Sequence, residues 1–214
     1  MKPRCAVLVF AVGTIACGPE APLPQRANTV TTDAAAAKTP AADRPVNWLD
    51  RQPANWNVAG QAVTTAPAPE EPIQSVLARC RLTRLQSTPG ERAIASAGWI
   101  PFHPGGEQVA QNDVEIVGGM TWADGMCRPA SYNLFVFVTG AFAGSLSPTL
   151  MTSRLDGASG AVQLTPQGIA VEFLRYKETD PLCCPSSRVM VQYRIDRTQG
   201  PVVMPISVTP TAAK

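Results

Sequence analysis

Six cysteines and one histidine are the residues of this 214-residue chain whose chemistry depends most on spacing. Cys5 and Cys17 stand near the N-terminus, Cys80 and Cys127 stand apart, and Cys183 and Cys184 are neighbours. With Cys5 inside a signal segment and Cys17 taking lipid, an even set of four is left. In an exported domain such a set reads first as disulfides. Four cysteines allow three pairings. One joins Cys80 to Cys127 and Cys183 to Cys184, and needs an eight-membered ring between neighbours. The other two tie the double-Cys loop to both Cys80 and Cys127. A long-range bridge closing a loop of this size is worth about 4 kcal/mol in the chain-entropy model. Two such bridges, each using one member of the Cys183–Cys184 pair, and no free thiol are therefore expected. Four thiolates also suffice for tetrahedral zinc, but adjacent cysteines rarely point at one ion and no C-x-x-C pair is present. No metal site is expected. Thiol exchange stays open, because a bridge between neighbours is readily reduced.

The single imidazole, His103, would have to serve any Ser-His-Asp or Cys-His site. It lies in the turn Phe102-His103-Pro104-Gly105-Gly106 and is expected at the surface. Asp113, Glu115, Asp124, Asp156, Glu172, Glu178 and Asp180 are dispersed, and spacing nominates no carboxylate pair for glycoside hydrolysis. Neither GGEQ nor GGM follows a strand-to-helix pattern that would make a phosphate loop. No catalytic residue and no cofactor is nominated. Arg128, Arg154 and Arg175 form a candidate anion-binding set. The plainer reading for Arg128 and Arg154 is ion pairing with nearby Asp124 and Asp156 or turn capping, at about 0–1 kcal/mol per surface pair.

The elements that must position these residues begin with an address. Lys2 and Arg4 precede an apolar run from Ala6 to Ala16, which is short of the roughly 20 residues that span a bilayer and fits a signal-peptide core. The run ends Thr14-Ile15-Ala16-Cys17-Gly18, which looks like a lipobox whose Cys17 is acylated, although Thr14 stands where Leu is usual. Several acyl chains on one Cys anchor stably, at about 0.8 kcal/mol per buried methylene. The expected organisation is a signal peptide over residues 1–16, a lipid-anchored Pro/Ala/Thr-rich tether over 17–72, and one globular β-rich domain over 73–214. The tether's composition buries too little apolar surface to offset ordering entropy. Limited proteolysis is expected to cut it between Gly18 and Pro45 before the head. Inside it, Trp48 and Trp56 are expected to pack on the head, or to serve as an aromatic contact for a partner or sugar.

A net charge of +2, with 45% hydrophobic and 16% charged residues, indicates neither a basic nucleic-acid binder nor a multi-span membrane protein. The head reads as α+β: mainly antiparallel sheet with one or two short helices, preceded by the disordered tether. Gln74–Leu77 and Glu91–Ala97 are the helical stretches. Asn133–Val138 is apolar on both faces, as a central strand is. Thr139-Gly140 then turns into Ala141–Leu146 as a tight hairpin. Gly168–Lys177 and Arg188–Asp196 are strands joined by the double-Cys loop. In the second, Val189, Val191, Tyr193 and Ile195 alternate with Arg188, Met190, Gln192, Arg194 and Asp196.

The segments NWNVAG, AGWIPF, DGMCRP, NLFVFVTGAFAGSLSP, MTSRLDGA and VEFLRYKETDPLCCPSS, in this order, resemble the LppP/LprE family of bacterial lipoproteins and related exported double-Cys proteins. The resemblance spans about Asn55 to Ile195. It implies an exported, usually lipid-anchored domain, and it supplies no catalytic residues. The expected function is a non-catalytic envelope module, anchored by its N-terminal lipid at the cell surface or facing the periplasm, that binds a protein or small ligand and no nucleic acid. The rival is an envelope enzyme or thiol-disulfide protein that uses the Cys183–Cys184 loop.

Overall fold

The computed structural model describes residues 47–83 and 85–211. The expected signal peptide, Cys17 and the tether before residue 47 lie outside the described residues. The described residues fall in one compact unit.

Strand β1 (Ile100–Phe102), β2 (Val109–Gln111), β3 (Val114–Ala123), β4 (Pro129–Val138) and β5 (Ala141–Ser145) form a first sheet in the order β1-β3-β4-β5, with β2 also on β3. A second sheet runs β6 (Ser159–Thr165), β7 (Gly168–Arg175), β8 (Ser187–Asp196), β9 (Val202–Thr211) in sequence order. Every strand pairing in both sheets is antiparallel. Helices α1 (Ile73–Cys80) and α2 (Pro89–Ser96) precede the strands. This is the mainly antiparallel, two-helix architecture that the apolar patterning implied.

The all-apolar run in β4 is explained by what covers its two faces. Leu134, Val136 and Val138 join Ile116 of β3 and Val171, Phe173, Val191 and Tyr193 of the second sheet in one core. Phe135 and Phe137 point the other way and pack with Val117, Trp99 and Ile94 of α2. A strand buried on both sides has no position left for a polar alternation. Thr139 and Gly140 both take positive φ (50° and 77°), as a two-residue hairpin between right-twisted strands requires. In β8 the alternation holds: Val189, Val191 and Tyr193 are buried, with half-exposed residues between them. Strand β9 carries Pro205 and Pro210, which fits its place at a sheet edge, paired only with β8.

Helix α2 starts at a capping box. The Thr88 hydroxyl accepts from Glu91 N at 3.1 Å, and Glu91 Oε2 accepts from Thr88 N at 3.1 Å. Gly90 lets this first turn lie directly on β3 and β4: a Cβ there would come within 2.7 Å of both Glu115 Oε2 and Phe137 Cδ2. Substitution at Gly90 would push α2 off the sheet.

Candidate ligand cavity and the double-Cys loop

Residues 47–67 form an arm laid across both sheets, and one short stretch of it fixes the rest. Asn47 caps a 3-10 turn (Trp48–Asp50) by accepting from Leu49 N at 3.1 Å, and its amide donates to Asp156 at 2.7 Å. Leu49 is buried, and Trp48 and Trp56 pack against the core. The indole of Trp48 meets Phe173 and Trp56 edge-on at centroid distances of 5.2 Å each. Trp56 in turn meets Tyr193 at 6.4 Å and donates Nε1 to Ser145 O at 3.1 Å. Large aromatic area thus gains burial where one polar edge finds a carbonyl. Asn57, itself buried, brackets β5: its Oδ1 accepts from Ser145 N at 2.9 Å, and its amide donates to Ser145 O and Val203 O at 3.0 Å each. Further along, Trp99 Nε1 donates to Thr64 O at 2.7 Å and Ala66 N donates to Ala97 O at 2.8 Å.

Between this arm, β5 and the 147–150 loop lies a cavity of about 440 Å³, within the ordinary size of small-molecule sites. Trp56, Trp99, Phe135 and Phe142 give it aromatic walls, and its lining includes no Asp, Glu, Lys, Arg or His. The inner polar groups are already used. Asn133 donates to Ser147 O at 2.9 Å and accepts from Leu134 N at 2.8 Å, while Ser145 and Ser147 hydroxyls donate to Ser147 O and Thr149 O at 2.9 and 2.7 Å. The side chains of Gln61, Thr64, Thr65 and Thr149 line the same space and make no hydrogen bond among the described residues. Two further cavities, of about 490 and 430 Å³, share Pro148 with the first and run along Trp48.

The double-Cys loop joins β7 to β8. Asp180 shapes it by accepting from Lys177 N and Ser186 N at 2.8 Å each, and Arg154 Nη1 donates to Leu182 O at 2.7 Å. Hydrogen bonds hold the Asp180 carboxyl below the usual carboxylate range, the Ser186 hydroxyl contributing most. Within the loop Cys183 and Cys184 are exposed and bond to each other. Residues 111–198 match the LppP/LprE lipoprotein family. The match runs from the end of β2 through β8, so it takes in the double-Cys loop and the β4–β5 side of the cavity, while the arm, α1 and α2 lie before it. No curated protein and no solved structure matches the chain. A lipoprotein family implies an exported, membrane-anchored chain, and no helix among the described residues is long and apolar enough to cross a membrane.

The cysteine pairing corrects the expected one. Cys80, at the end of α1, bonds Cys127 in the β3–β4 turn, and the Cys183–Cys184 bridge is local. The reason is where α1 lies. Arg79 donates to Asp124 O at 2.8 Å and Ala123 O at 2.9 Å, which places the end of α1 on that turn. The double-Cys loop belongs to the other sheet. Each of the three nominated arginines is engaged by its own neighbour: Arg128 by Asp124 (2.6 Å), Arg154 by Leu182 O, and Arg175 by Asp156 (2.7 Å) and Asp50 (2.8 Å). Burial pushes the Asp124 carboxyl up, but bonds from Arg128 and Met126 outweigh it and leave the group lowered.

His103, expected at the surface, is half-buried, with Nε2 at 2.8 Å from Glu91 Oε1. Glu91 is 2% exposed, and its other oxygen accepts from Ser87 N at 2.6 Å and Thr88 N at 3.1 Å. Burial pushes its pKa up, but His103 and the two backbone donors more than offset this and hold it below the ordinary value. A carboxyl with a depressed folded pKa stabilises the fold above its unfolded pKa, about 4.3 for Glu, and that stability is lost as pH falls through the folded value. Thermal melting followed across pH should therefore show the Glu91 contribution intact above about pH 5 and declining below about pH 4. Glu91→Gln should cost about 1–2 kcal/mol at neutral pH and flatten that acid limb.

Proposed function

We propose that this protein is a lipid-anchored envelope module, attached through acylated Cys17, whose head binds an uncharged ligand without transforming it. The observation that carries the reading is the cavity beside Trp56: it has aromatic walls, no ionisable side chain in its lining, and free hydroxyl and amide groups. A site without a titratable group has nothing with which to move a proton at a substrate. Uncharged apolar walls with a few polar groups are what a binding pocket needs.

The test uses the chain from residue 17 onward carrying Cys17→Ser, so that no acyl chain is present. Titration with Nile red, an uncharged apolar dye, should give a saturable rise in fluorescence. Leu150→Arg should remove most of that rise while leaving the melting temperature in place, because Leu150 lines the cavity and is 45% exposed. Saturation unchanged by Leu150→Arg would refute the reading.

A further inference from the structure

If the cavity binds an uncharged ligand, as proposed above, the division of labour among its walls narrows the ligand class. Both indoles nearest the space spend their N–H groups on protein carbonyls, Trp56 on Ser145 O and Trp99 on Thr64 O. What remains of them to offer a ligand is apolar ring surface. Trp99 and Phe135 are buried, so Trp56, half-exposed, is the indole left open to contact. Around this surface the side chains of Gln61, Thr64, Thr65 and Thr149 keep their donors and acceptors free. All four are exposed, so a small apolar probe on the aromatic walls leaves them to water, whereas a ligand that also covers this rim must pair with them. An ionic ligand would meet no opposite charge. The complementary ligand has an apolar face, a rim of groups that both donate and accept, and no charge.

We infer that the cavity seats a neutral sugar ring, its C–H face on Trp56 and its hydroxyls on Gln61, Thr64, Thr65 and Thr149. The π face of an indole is the negative side of its quadrupole, which the weakly positive axial C–H groups of a sugar complement. The neighbouring cavities extend the site. They share Pro148 with the first; Trp48 and Arg51 line both, Trp56 lines one and Asp156 the other. A chain of sugars can occupy such a row, whereas one small molecule uses only one cavity. The ligand class is therefore an oligosaccharide whose unit in the first, charge-free cavity is neutral.

The experiment is calorimetric titration of the Cys17→Ser chain with neutral oligosaccharides of glucose, mannose, galactose and arabinose, from one to six units, and in parallel with monoolein as an uncharged acyl probe. At least one sugar series should bind, with affinity rising over the first three units. Trp56→Phe should weaken the shortest binder, and Leu155→Arg, at an exposed residue that lines the 490 Å³ cavity but not the first, should remove the gain from added units while leaving the shortest binder in place. Thr64→Val with Thr149→Val, which spares the aromatic walls, should weaken binding about tenfold, equivalent to 1.4 kcal/mol. Binding of monoolein with no sugar bound would overturn the sugar assignment and leave the uncharged-ligand reading standing. Absence of binding by the sugars, monoolein and Nile red alike would overturn both. Sugar binding indifferent to the Thr64→Val and Thr149→Val pair would overturn the seating of the hydroxyls on this rim.

Discussion

Replacing Cys80 and Cys127 together by alanine should lower the stability of the head by about 4 kcal/mol. The bridge spans a sequence separation of 47, and the loop-entropy relation gives about 4 kcal/mol for a loop of that size. Its Cα atoms stand 5.4 Å apart, in the common range for a disulfide, so no backbone movement is needed to close it. The bond also supplies what α1 cannot supply alone. Eight residues are too few for a stable isolated helix, and only Val76 of α1 is fully buried. Removing Cys183 and Cys184 together should cost under about 1 kcal/mol, because a bridge between neighbours closes almost no loop. Chemical denaturation of the two double variants separates these outcomes. Exposure sets the order of reduction: a dithiol should open Cys183–Cys184 before the half-buried Cys80–Cys127 bond. Equal costs for the two variants, or a non-reducing peptide map that links either loop cysteine to Cys80, would contradict this assignment.

The same bridge shows where reading along the chain stops. Strand β4, its hairpin, the alternation of β8 and the position of the double-Cys loop were legible because each is written in local periodicity or turn chemistry. Cys80's partner was not, because it depends on where Arg79 anchors α1, and the carbonyls it reaches belong to Ala123 and Asp124. Glu91 carried a readable signal: Thr88-Pro89-Gly90-Glu91 has the spacing of a capping box with Pro at the first turn. A start of α2 placed at Glu91 misses it, and with it the carboxylate that faces His103. The cavity was half legible. Trp56 stood out as an aromatic in a polar arm, whereas Thr64, Thr65 and Asn57 look like ordinary linker residues. Their roles arise from an arm crossing strands almost ninety positions away, as in the Trp56–Ser145 bond.

Asn57→Ala should cost about 3 kcal/mol and free the arm before the sheets melt. Asn57 is 7% exposed and makes three bonds across the arm, to Ser145 N, Ser145 O and Val203 O. Alanine would leave buried backbone groups of β5 and β9 without that partner, at roughly 1–3 kcal/mol for each group that water cannot reach. Gly144 is shaped to the same bracket. It holds φ at +129°, and a Cβ there would lie 2.3 Å from Asn57 Cγ and 2.8 Å from Asn57 Cβ. Gly144→Ala should therefore destabilise by a similar amount for two reasons, the collision and the backbone conformation. Only the first is relieved when Asn57 is already alanine, and only in part, since the Cβ contact stays. The double variant should thus lose less than the sum of the single losses while remaining less stable than Asn57→Ala alone. Trp56 reports the arm directly. In Asn57→Ala, acrylamide should quench its fluorescence at denaturant concentrations where far-ultraviolet circular dichroism still shows intact strands, in a background with Trp48, Trp99 and Trp122 replaced by phenylalanine and read against that same background with Asn57 intact, since Trp48 and Trp99 also hold the arm. Coincident loss of both signals would mean that the arm and the sheets form one cooperative unit, with the Asn57 bracket only one contact among many.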